Sequence, residues 1–306
     1  MQTILGAGGI IGTELAKSLP NYTDRIRLVS RHPKKVNLTD ELVSADLLDA
    51  RQTLDAIHGS EIVYLTAGLP YNIKTWQSQW PIIMKNVIDA CKKQNAKLVF
   101  FDNIYSYGHV NGWMTENTAV NPSSKKGEVR KRIADMIMEE VGGGNLQAII
   151  ARAADFYGPN TPLSFVTVMV FDNFKKGKKA QWLINDKVKH SLTYTPDAGK
   201  ATAILGNTVS AYNQVWHLPT DRTALTGKEF IERAAAEFKC SPRYLVLPRW
   251  MVRMVGFFNN NVRESVEMLY QNDSEYLFDS SKFDKAFDFK ATSYCQGIRE
   301  TVKSMK

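Results

Sequence analysis

The chain has 306 residues, of which 44% are hydrophobic and 23% are charged. These proportions are typical of globular proteins and exclude the disordered and collagen-like classes. A chain of this length buries roughly three quarters of its unfolded surface, so it needs no disulfide or metal to hold its core. Its 39 lysines and arginines exceed 31 acidic residues and give a formal charge of +8. This charge suits an anionic ligand, but it is spread along the chain, so no nucleic-acid partner is predicted.

The cysteines and the apolar stretches indicate the cellular compartment and whether the chain crosses a membrane. Cys91, Cys240 and Cys295 are far apart and form no CxxC motif, so neither a disulfide framework nor a metal site is predicted. The N-terminus lacks the basic and apolar regions of a secretory signal. The longest apolar stretches, such as residues 165–171, are far shorter than the ~20 residues that span a bilayer. We therefore expect a cytoplasmic protein without a membrane partner.

Short apolar runs alternate with helical patterns across the first half of the chain. This alternation predicts βαβ units and a parallel sheet. The fold class is therefore expected to be α/β, with a Rossmann-type doubly wound parallel sheet and a smaller, mostly helical C-terminal substrate domain. Helical spacing covers residues 11–19 and 82–94. Strands are predicted near residues 1–5, 25–30, 42–45, 61–66, 97–102 and 146–151.

The pattern loosens after Pro159. A helix is expected at 164–175, then a hairpin over 181–194 that turns at Asn185 and Asp186, and a strand at 214–218 that rejoins the sheet. The sequence analysis assigns residues 1–163 to a dinucleotide-binding domain, to which residues 195–220 return. Residues 164–194 and 221–306 form the substrate-binding part.

Two helices of the last third begin with capping boxes. The boxes are Thr226 with Glu229, and Ser293 with Gln296. Between these helices lies a cluster of aromatic and methionine side chains, which we interpret as core or as the wall of an apolar pocket, with a partner-binding stripe as the alternative. The cluster consists of Trp250, Met251, Met254, Val255, Phe257 and Phe258.

The glycine-rich segment at residues 3–12 is the most informative motif. Gly6, Gly9 and Gly12 follow a predicted strand and open a predicted helix. Gly6 permits a tight turn, Gly9 lets the backbone approach a pyrophosphate, and Gly12 allows close packing of the helix on the sheet. The free N–H groups and the positive dipole end of the helix favour an anion. A flexible loop is the alternative, but the flanking strand and helix favour a dinucleotide site.

The residues after the second strand bear on the choice of cofactor. Ser30 and Arg31 stand near the place where an NAD site usually offers a carboxylate to the ribose 2′-hydroxyl. A hydroxyl and a guanidinium suit a 2′-phosphate, so NADP is predicted and NAD is the alternative. A solvent-exposed Arg31 without a ligand is the other interpretation. Asp46, after the third strand, is a candidate partner for adenine, although such an aspartate is as often a turn residue.

Taken together, these motifs resemble the short-chain dehydrogenase/reductase superfamily, in its extended NAD-dependent epimerase/dehydratase branch and most closely its atypical members. The resemblance covers nearly the whole chain and implies a sheet order of 3-2-1-4-5-6-7. It also implies further cofactor contacts, namely Ile10, Ile11, Leu47, Thr66, Ala67, Gly68 and Arg130. The segments that carry it, besides the glycine turn, are Ile62–Gly68, Leu98–Gly108, Ala151–Pro159 and Tyr194–Ala198.

The expected catalytic set of this family is changed. Members use a Ser or Thr at the end of the fifth strand and a Tyr-x-x-x-Lys motif on the next helix. In this sequence Asn103 occupies the hydroxyl position, Lys126 the tyrosine position and Arg130 the lysine position. Lys126 and Arg130 share a helix face. An amine can serve as acid or base, and an amide can donate to a carbonyl oxygen, so Asn103 and Lys126 are the catalytic candidates.

Two functions remain open at this point. The first is an NADP-binding oxidoreductase or epimerase-like enzyme acting on a small carbonyl, hydroxyl or nucleotide-sugar compound. The second is a non-catalytic sensor that reports the state of a bound NAD(P) to a partner, which the loss of the usual tyrosine and lysine favours. The resemblance implies a small-molecule substrate and a homodimer. No bound metal is expected.

Overall fold

The computed structural model describes residues 1–305, which form two compact units. The first unit contains residues 1–106, 125–153 and 196–218. The second contains residues 107–124 and 154–195 and the chain from 219 onward. The second unit thus includes residues 107–124, 154–163, 195 and 219–220, which the sequence-based boundaries assign to the dinucleotide-binding domain.

A seven-stranded parallel sheet forms the centre of the first unit. Across the sheet the strands cover residues 41–44, 26–30, 2–5, 62–65, 97–103, 148–153 and 214–217, which is the order 3-2-1-4-5-6-7 when they are numbered along the chain. This order is the one expected from the resemblance, and the predicted α/β Rossmann-type fold is confirmed. In chain order the strands are β1 (Gln2–Leu5), β2 (Ile26–Ser30), β3 (Glu41–Ser44), β4 (Ile62–Leu65), β5 (Lys97–Asn103), β6 (Ala148–Ala153) and β7 (Gln214–His217).

The inner strands form because their apolar runs are covered on both faces. All four side chains of β4 are buried, and so are all six of β6. Strands of a parallel sheet with helices on both faces have this continuous rather than alternating pattern. The helices of this unit are α1 (Ile10–Ser18), α2 (Ala50–Ala56), α3 (Ile73–Gln94), α4 (Lys125–Gly142) and a fifth over Thr195–Gly206, of which Thr195 belongs to the second unit.

Helix α3 is nine residues longer at its start than the predicted 82–94. Proline favours the first helical position, which agrees with a start near Pro81. In the structure, however, Pro81 lies inside the helix. The start is fixed by Asn72, whose side chain accepts a hydrogen bond from the N–H of Thr75, and by the buried Trp76 and Trp80. Packing of these indoles outweighs the backbone preference of the proline.

The second unit is built from short strands and helices. Its strand pairs are Asp155–Tyr157 with Leu192–Tyr194, Ala180–Leu183 with Tyr244–Leu247, Lys189–His190 with Leu225–Thr226, and Trp113–Met114 with Leu277–Phe278. Its helices are Thr167–Phe171 (a π-helical segment), Asp172–Lys175, Gly227–Phe238, Arg249–Phe258, Asn260–Ser265, Val266–Asn272 (a 3₁₀ helix), Ser281–Phe287 and Tyr294–Met305. The helical C-terminal part is therefore confirmed.

The predicted hairpin over residues 181–194 is wrong. The three strands of this segment each pair elsewhere: Ala180–Leu183 with 244–247, Lys189–His190 with 225–226, and Leu192–Tyr194 with 155–157. Trp182 is buried in an aromatic cluster with Phe165 and Phe230. Burial of this indole among distant side chains outweighs the local turn preference of Asn185 and Asp186.

The two capping boxes have different outcomes. Thr226 accepts from the N–H of Glu229, whose carboxylate accepts from the N–H of Thr226, so the first box is complete. In the second, Ser293 accepts from the N–H of Gln296, but the Gln296 side chain donates to Glu300. Only half of the second predicted box is formed.

Candidate functional site

The glycine turn joins β1 to α1 in the geometry that the sequence predicts. Gly6 has φ of +93°, a conformation that side chains with a Cβ rarely adopt. The N–H of Gly9 donates to the carbonyl of Gly6 over 3.0 Å, which closes the turn. Gly9 is the N-cap of α1, and no side chain caps this helix end. The first N–H groups of α1 are therefore available to an anion.

Close contacts explain why two of the glycines cannot carry a side chain. A Cβ on Gly6 would lie 2.4 Å from the backbone of Ala67. A Cβ on Gly12 would lie 2.8 Å from the carbonyl oxygen of Gly6 and 3.1 Å from the hydroxyl of Thr66. The turn therefore packs directly on Thr66 and Ala67, which follow β4. The predicted cofactor-binding residues that follow β1 therefore lie beside those that follow β4.

The remaining residues of this group lie around the same turn. Ile11 and Gly12 are buried, whereas Ile10 is partly exposed. Gly68 is exposed, and a Cβ there would meet nothing within 4 Å. Thr66 donates its hydroxyl hydrogen to the carbonyl of Leu5 over 3.2 Å.

Ser30 ends β2 next to the glycine turn, and Arg31 follows the strand. The Ser30 hydroxyl oxygen lies 3.9 Å from the position of a Cβ on Gly8 and accepts a hydrogen bond from the N–H of His32. Arg31 is exposed, and within residues 1–305 its guanidinium has no hydrogen bond or ion pair. The side chain of Arg31 is therefore available to bind an anion at this end of the sheet.

Asp46 adopts the turn that the alternative interpretation describes. Its Oδ1 accepts a hydrogen bond from the N–H of Leu48 over 3.0 Å, and its carbonyl accepts one from the N–H of Asp49. Asp46 is exposed and Leu47 is partly buried. A turn role is thus shown for Asp46, and its contact with adenine stays a prediction.

Asn103 is the last residue of β5, and its amide is oriented by the backbone. Its Oδ1 accepts a hydrogen bond from the N–H of Tyr105 over 3.0 Å. Because an N–H needs an acceptor, this bond assigns the oxygen and the nitrogen of the amide. No hydrogen bond from Nδ2 is present among residues 1–305. Asn103 therefore presents an amide donor at the carboxyl end of the sheet.

Lys126 lies in the first turn of α4 and is completely buried. Its ammonium group lies 4.6 Å from the centre of the Tyr71 ring. Tyr71 in turn packs edge-on against Trp76, so an aromatic wall borders the amine. A fully buried ammonium is costly without partners, and the electron-rich face of Tyr71 provides part of the compensation.

Arg130 has different partners from Lys126, although the two share a helix face. Its Nε and Nη2 lie 2.7 and 2.6 Å from Oδ1 of Asp102, and its guanidinium lies 4.7 Å from the centre of the Trp80 ring. A second arginine, Arg152, approaches Oδ2 of Asp102 at 3.3 Å. Two nitrogens of Arg130 are thus occupied by a structural ion pair. Its contact with the cofactor stays a prediction.

The sequence analysis missed Asp102. This residue follows the apolar run Leu98–Phe101 in β5 and is completely buried at its side chain. A carboxylate inside a buried strand requires cations nearby, since an unpaired buried charge is strongly unfavourable. That rule would have indicated Arg130 and Arg152 as candidates for its partners.

The sequence-predicted residues therefore fall into two groups within the first unit. The glycine turn, Thr66 and Ala67 are in direct contact, and Ser30 lies beside Gly8. Asn103, Lys126 and Arg130 belong to β5 and α4, and Asp102 links the backbone of Asn103 to the guanidinium of Arg130. In the described part of the chain no three His, Cys, Asp or Glu side chains are arranged to hold a metal ion.

The sheet order and the glycine turn between β1 and α1 define a Rossmann-type protein. A family model of the NAD dependent epimerase/dehydratase family matches residues 3–215. The chain belongs to this family.

One curated relative is 3beta-hydroxysteroid-dehydrogenase/decarboxylase isoform 2 from Arabidopsis thaliana. It is 24% identical over 157 residues, which are 48% of this chain and 27% of the relative. The chain thus spans about a quarter of the length of the curated relative that it matches.

Solved structures with the same fold include three nucleotide-sugar enzymes. UDP-glucose 4-epimerase from Thermus thermophilus, in complex with NAD, has a TM-score of 0.80 at 16% identity, over 99% of this chain and 98% of that one. UDP-glucuronic acid 4-epimerase from Bacillus cereus, also in complex with NAD, has a TM-score of 0.81 at 15% identity, over 100% of this chain and 98% of that one. A dTDP-glucose 4,6-dehydratase from Streptomyces venezuelae, with NAD and DAU bound, has a TM-score of 0.79 at 14% identity, over 99% of this chain and 96% of that one. These likenesses show a shared fold.

Proposed function

We propose that this protein is an NADP-binding oxidoreductase or epimerase-like enzyme that acts on a small carbonyl, hydroxyl or nucleotide-sugar compound. The observation that carries the proposal is the glycine turn between β1 and α1, in which Gly6 has a positive φ and the end of α1 has no side-chain cap. Such a turn brings backbone N–H groups to a diphosphate without interference from a Cβ.

The residues around the turn fit an adenine dinucleotide phosphate. The first turn of α1, with Gly9, Ile10 and Ile11, would hold the pyrophosphate. Ser30 and Arg31 would hold the 2′-phosphate, since a free guanidinium donates two parallel hydrogen bonds to phosphate oxygens. No carboxylate stands at these two positions to favour a 2′-hydroxyl, so NADP is preferred over NAD.

Several further contacts are proposed on the resemblance to the family. Thr66, Ala67 and Gly68 follow β4 beside the turn and would border the cofactor. Asp46 and Leu47 would contact the adenine, with the second carboxylate oxygen of Asp46 as the acceptor. Arg130 would contribute only with the nitrogen that Asp102 does not hold.

The chemistry is assigned to two side chains of the first unit. A bound nicotinamide supplies or accepts hydride. Asn103 would donate its amide hydrogen to the substrate carbonyl oxygen and so stabilise negative charge there. Lys126 would give or take the proton of the substrate hydroxyl from its Nζ, in the place where the family has a tyrosine. The buried position of Lys126 excludes bulk water from this proton transfer.

The substrate class is proposed from the fold neighbours. The similar structures include a UDP-glucose epimerase, a UDP-glucuronic acid epimerase and a dTDP-glucose dehydratase. A nucleotide sugar carries two phosphates, and the formal charge of +8 is compatible with such an anionic substrate. A homodimer is also proposed, on the resemblance alone.

Isothermal titration with NADPH and NADH tests the cofactor assignment. We expect NADPH to bind more tightly than NADH. We expect Arg31→Ala to lower the affinity for NADPH by about tenfold or more and to leave the affinity for NADH nearly unchanged. Arg51→Ala, which removes another exposed arginine, is the matched control. Tighter binding of NADH by the native protein would overturn the preference for NADP.

A turnover assay separates the enzyme from its alternative. Purified protein with NADPH or NADP is incubated with aldehydes, ketones and nucleotide sugars, and the absorbance of the reduced cofactor and the sugar products are followed. Turnover that disappears in Asn103→Ala supports the catalytic assignment. Absence of turnover with every compound contradicts the enzyme.

A non-catalytic NAD(P)-responsive sensor is the second candidate. The observation that favours it is the engagement of Arg130 by Asp102, because the lysine that this arginine replaces assists catalysis in the family. A sensor would bind the cofactor and change its association with a partner. Association of the protein with a partner that depends on the reduced or oxidised cofactor, without turnover, would support this alternative.

A further inference from the structure

The helix Arg249–Phe258 of the second unit presents large apolar side chains to solvent. Trp250 is 59% exposed, Met254 52%, Phe257 82% and Phe258 95%. These positions are spaced by four, three and one residues, so the side chains lie on one face of the helix. Their exposure contradicts the interpretation of this cluster as core.

The opposite face of the same helix is already covered. Val252 and Gly256 are its buried residues. A Cβ on Gly256 would lie 3.2 Å from the Cα of Arg263, so the next helix, Asn260–Ser265, packs closely there. An ordinary surface helix buries its apolar face and exposes its polar face. This helix instead exposes its largest apolar side chains while a small apolar face is buried, which is typical of a surface that binds a partner.

Within residues 1–305, two exposed arginines lie in or next to the apolar face without a paired carboxylate. Arg253 is exposed within it, and Arg263 is exposed on the next helix. Arg249 forms an ion pair with Asp273. The helix Arg249–Phe258 itself contains no Asp or Glu, and the nearest acidic residues in the chain after it are Glu264 and Glu267.

A second basic cluster lies at the start of the strand pair Ala180–Leu183 and Tyr244–Leu247, and the helix follows the other end of this pair. Arg243 accepts a hydrogen bond at its carbonyl from the N–H of Ala180 over 2.9 Å, at the start of the parallel strands Ala180–Leu183 and Tyr244–Leu247. Leu245 of this pair is 51% exposed. The basic loop that enters the first strand consists of four exposed lysines, Lys175, Lys176, Lys178 and Lys179.

We infer that the helix Arg249–Phe258 binds the surface of an anionic lipid membrane. Exposed Trp and Phe side chains on one helix face, with the exposed Arg253 among them, match the chemistry of an interfacial helix, whose apolar face enters the boundary of headgroups and acyl chains. The exposed Arg253 within the apolar face favours an anionic surface over a second copy of the chain. In a two-fold dimer this patch would face itself, and its unpaired Arg253 would meet a like charge.

This inference is separate from a membrane span. None of the helices within residues 1–305 has the length and apolar character needed to cross a bilayer. The helix Arg249–Phe258 has ten residues, and a helix that lies on the membrane surface does not need the length or the apolar character of a span. The sequence-based expectation of no membrane partner considered only insertion through the bilayer, and the inference changes that expectation for peripheral binding.

Co-sedimentation with vesicles tests the inference on the full chain without cofactor. The probes are vesicles of phosphatidylcholine alone and of an equal mixture of phosphatidylcholine and phosphatidylglycerol. We expect binding to the mixed vesicles that weakens as salt is added. We expect Phe257→Ser with Phe258→Ser to lower the partition coefficient by about tenfold or more, and Arg253→Glu to lower it by about tenfold.

The matched control is Leu38→Ser, because Leu38 is 92% exposed but belongs to the first unit. It should leave binding unchanged. Thermal unfolding should also be unchanged in all variants, since the altered side chains are exposed. Failure of the native protein to bind the mixed vesicles, or equal binding by the double phenylalanine variant, overturns the inference. So does a native dimer that the double variant converts to monomers, because the face would then be a contact between copies.

Discussion

Arg130 donates from Nε to Oδ1 of Asp102 over 2.7 Å, with both side chains at most 5% exposed. The same carboxylate oxygen accepts the N–H of Asn103 over 2.8 Å, and Arg130 lies one helical turn after Lys126 on α4. A single buried carboxylate thus links the end of β5 to α4. It fixes the backbone positions of both proposed catalytic residues.

Removal of this carboxylate should be strongly destabilising. Asp102→Asn leaves Arg130 and Arg152 buried without a counter-charge, and loss of one partner of a buried pair costs about 3–5 kcal/mol. Urea unfolding of the native protein and the variant measures the change in the free energy of unfolding. Asp135→Asn is the control, because Asp135 pairs with Lys131 on an exposed face and should cost about 0.5 kcal/mol or less. Equal effects of the two variants would show that the buried pair does not contribute as argued.

Gly12→Ala should disrupt the phosphate-binding turn. The new Cβ would lie 2.8 Å from the carbonyl of Gly6 and 2.9 Å from the Cα of Ala7, and neither backbone atom can move without shifting the turn. We expect the affinity for NADPH to fall by about tenfold or more, because the N–H groups of the turn lose their alignment. Isothermal titration measures it. Gly8→Ala is the control, since the nearest atom to its Cβ is 3.9 Å away, and a loss of the same size there would refute the packing argument.

The sequence predicts the first unit well because each of its signals is local. The strand, the glycine turn and α1 follow one another within residues 2–18, and the buried strand β4 is a continuous apolar run. The second unit is less predictable because its strands pair over long distances. Ala180–Leu183 pairs with residues 244–247, and no pattern within 181–194 signals that partner. The burial of Trp182 decides the outcome.

The candidate site shows the same division. The glycine turn is readable because a backbone requirement selects the residue type at each position. Asp102 escapes the sequence analysis because its partners Arg130 and Arg152 are 28 and 50 residues away along the chain. The sequence likewise does not predict which side of the helix Arg249–Phe258 is exposed. Spacing gives the face that the apolar residues share, but it does not give the direction in which that face points.

Lys126→Met tests the proposed proton transfer. Methionine retains an unbranched apolar side chain beside Tyr71 but removes the amine. We expect kcat for the substrate found in the turnover assay to fall by about 10²-fold or more, which is the usual contribution of a general acid or base. The affinity for NADPH should change by less than about threefold. Lys125→Met, at the exposed neighbouring position, is the control and should retain full turnover. Turnover retained by Lys126→Met would remove this amine from the mechanism.

The half-buried carboxylate of Asp284 predicts a pH dependence of stability. Burial raises the pKa of Asp284 to about 6, from 3.8, and the nearby Asp279 carboxylate adds to the rise, while a hydrogen bond from Ser280 opposes it. The folded state therefore holds this proton more tightly than the unfolded state does. The resulting stabilisation is complete below pH 3.8 and is lost as the pH rises through about 6.

Asp284→Asn removes this dependence while it retains an acceptor for the Ser280 hydroxyl. The variant should be more stable than the native protein at pH 7, by about 1 kcal/mol after allowance for the partial exposure of the group. The difference should vanish at about pH 3.5, where the native carboxyl is protonated in the folded state and largely so in the unfolded state. Urea unfolding at several pH values measures both quantities, with Asp24→Asn, at an exposed position, as the control. A difference between Asp284→Asn and the native protein that does not change with pH would contradict the raised pKa.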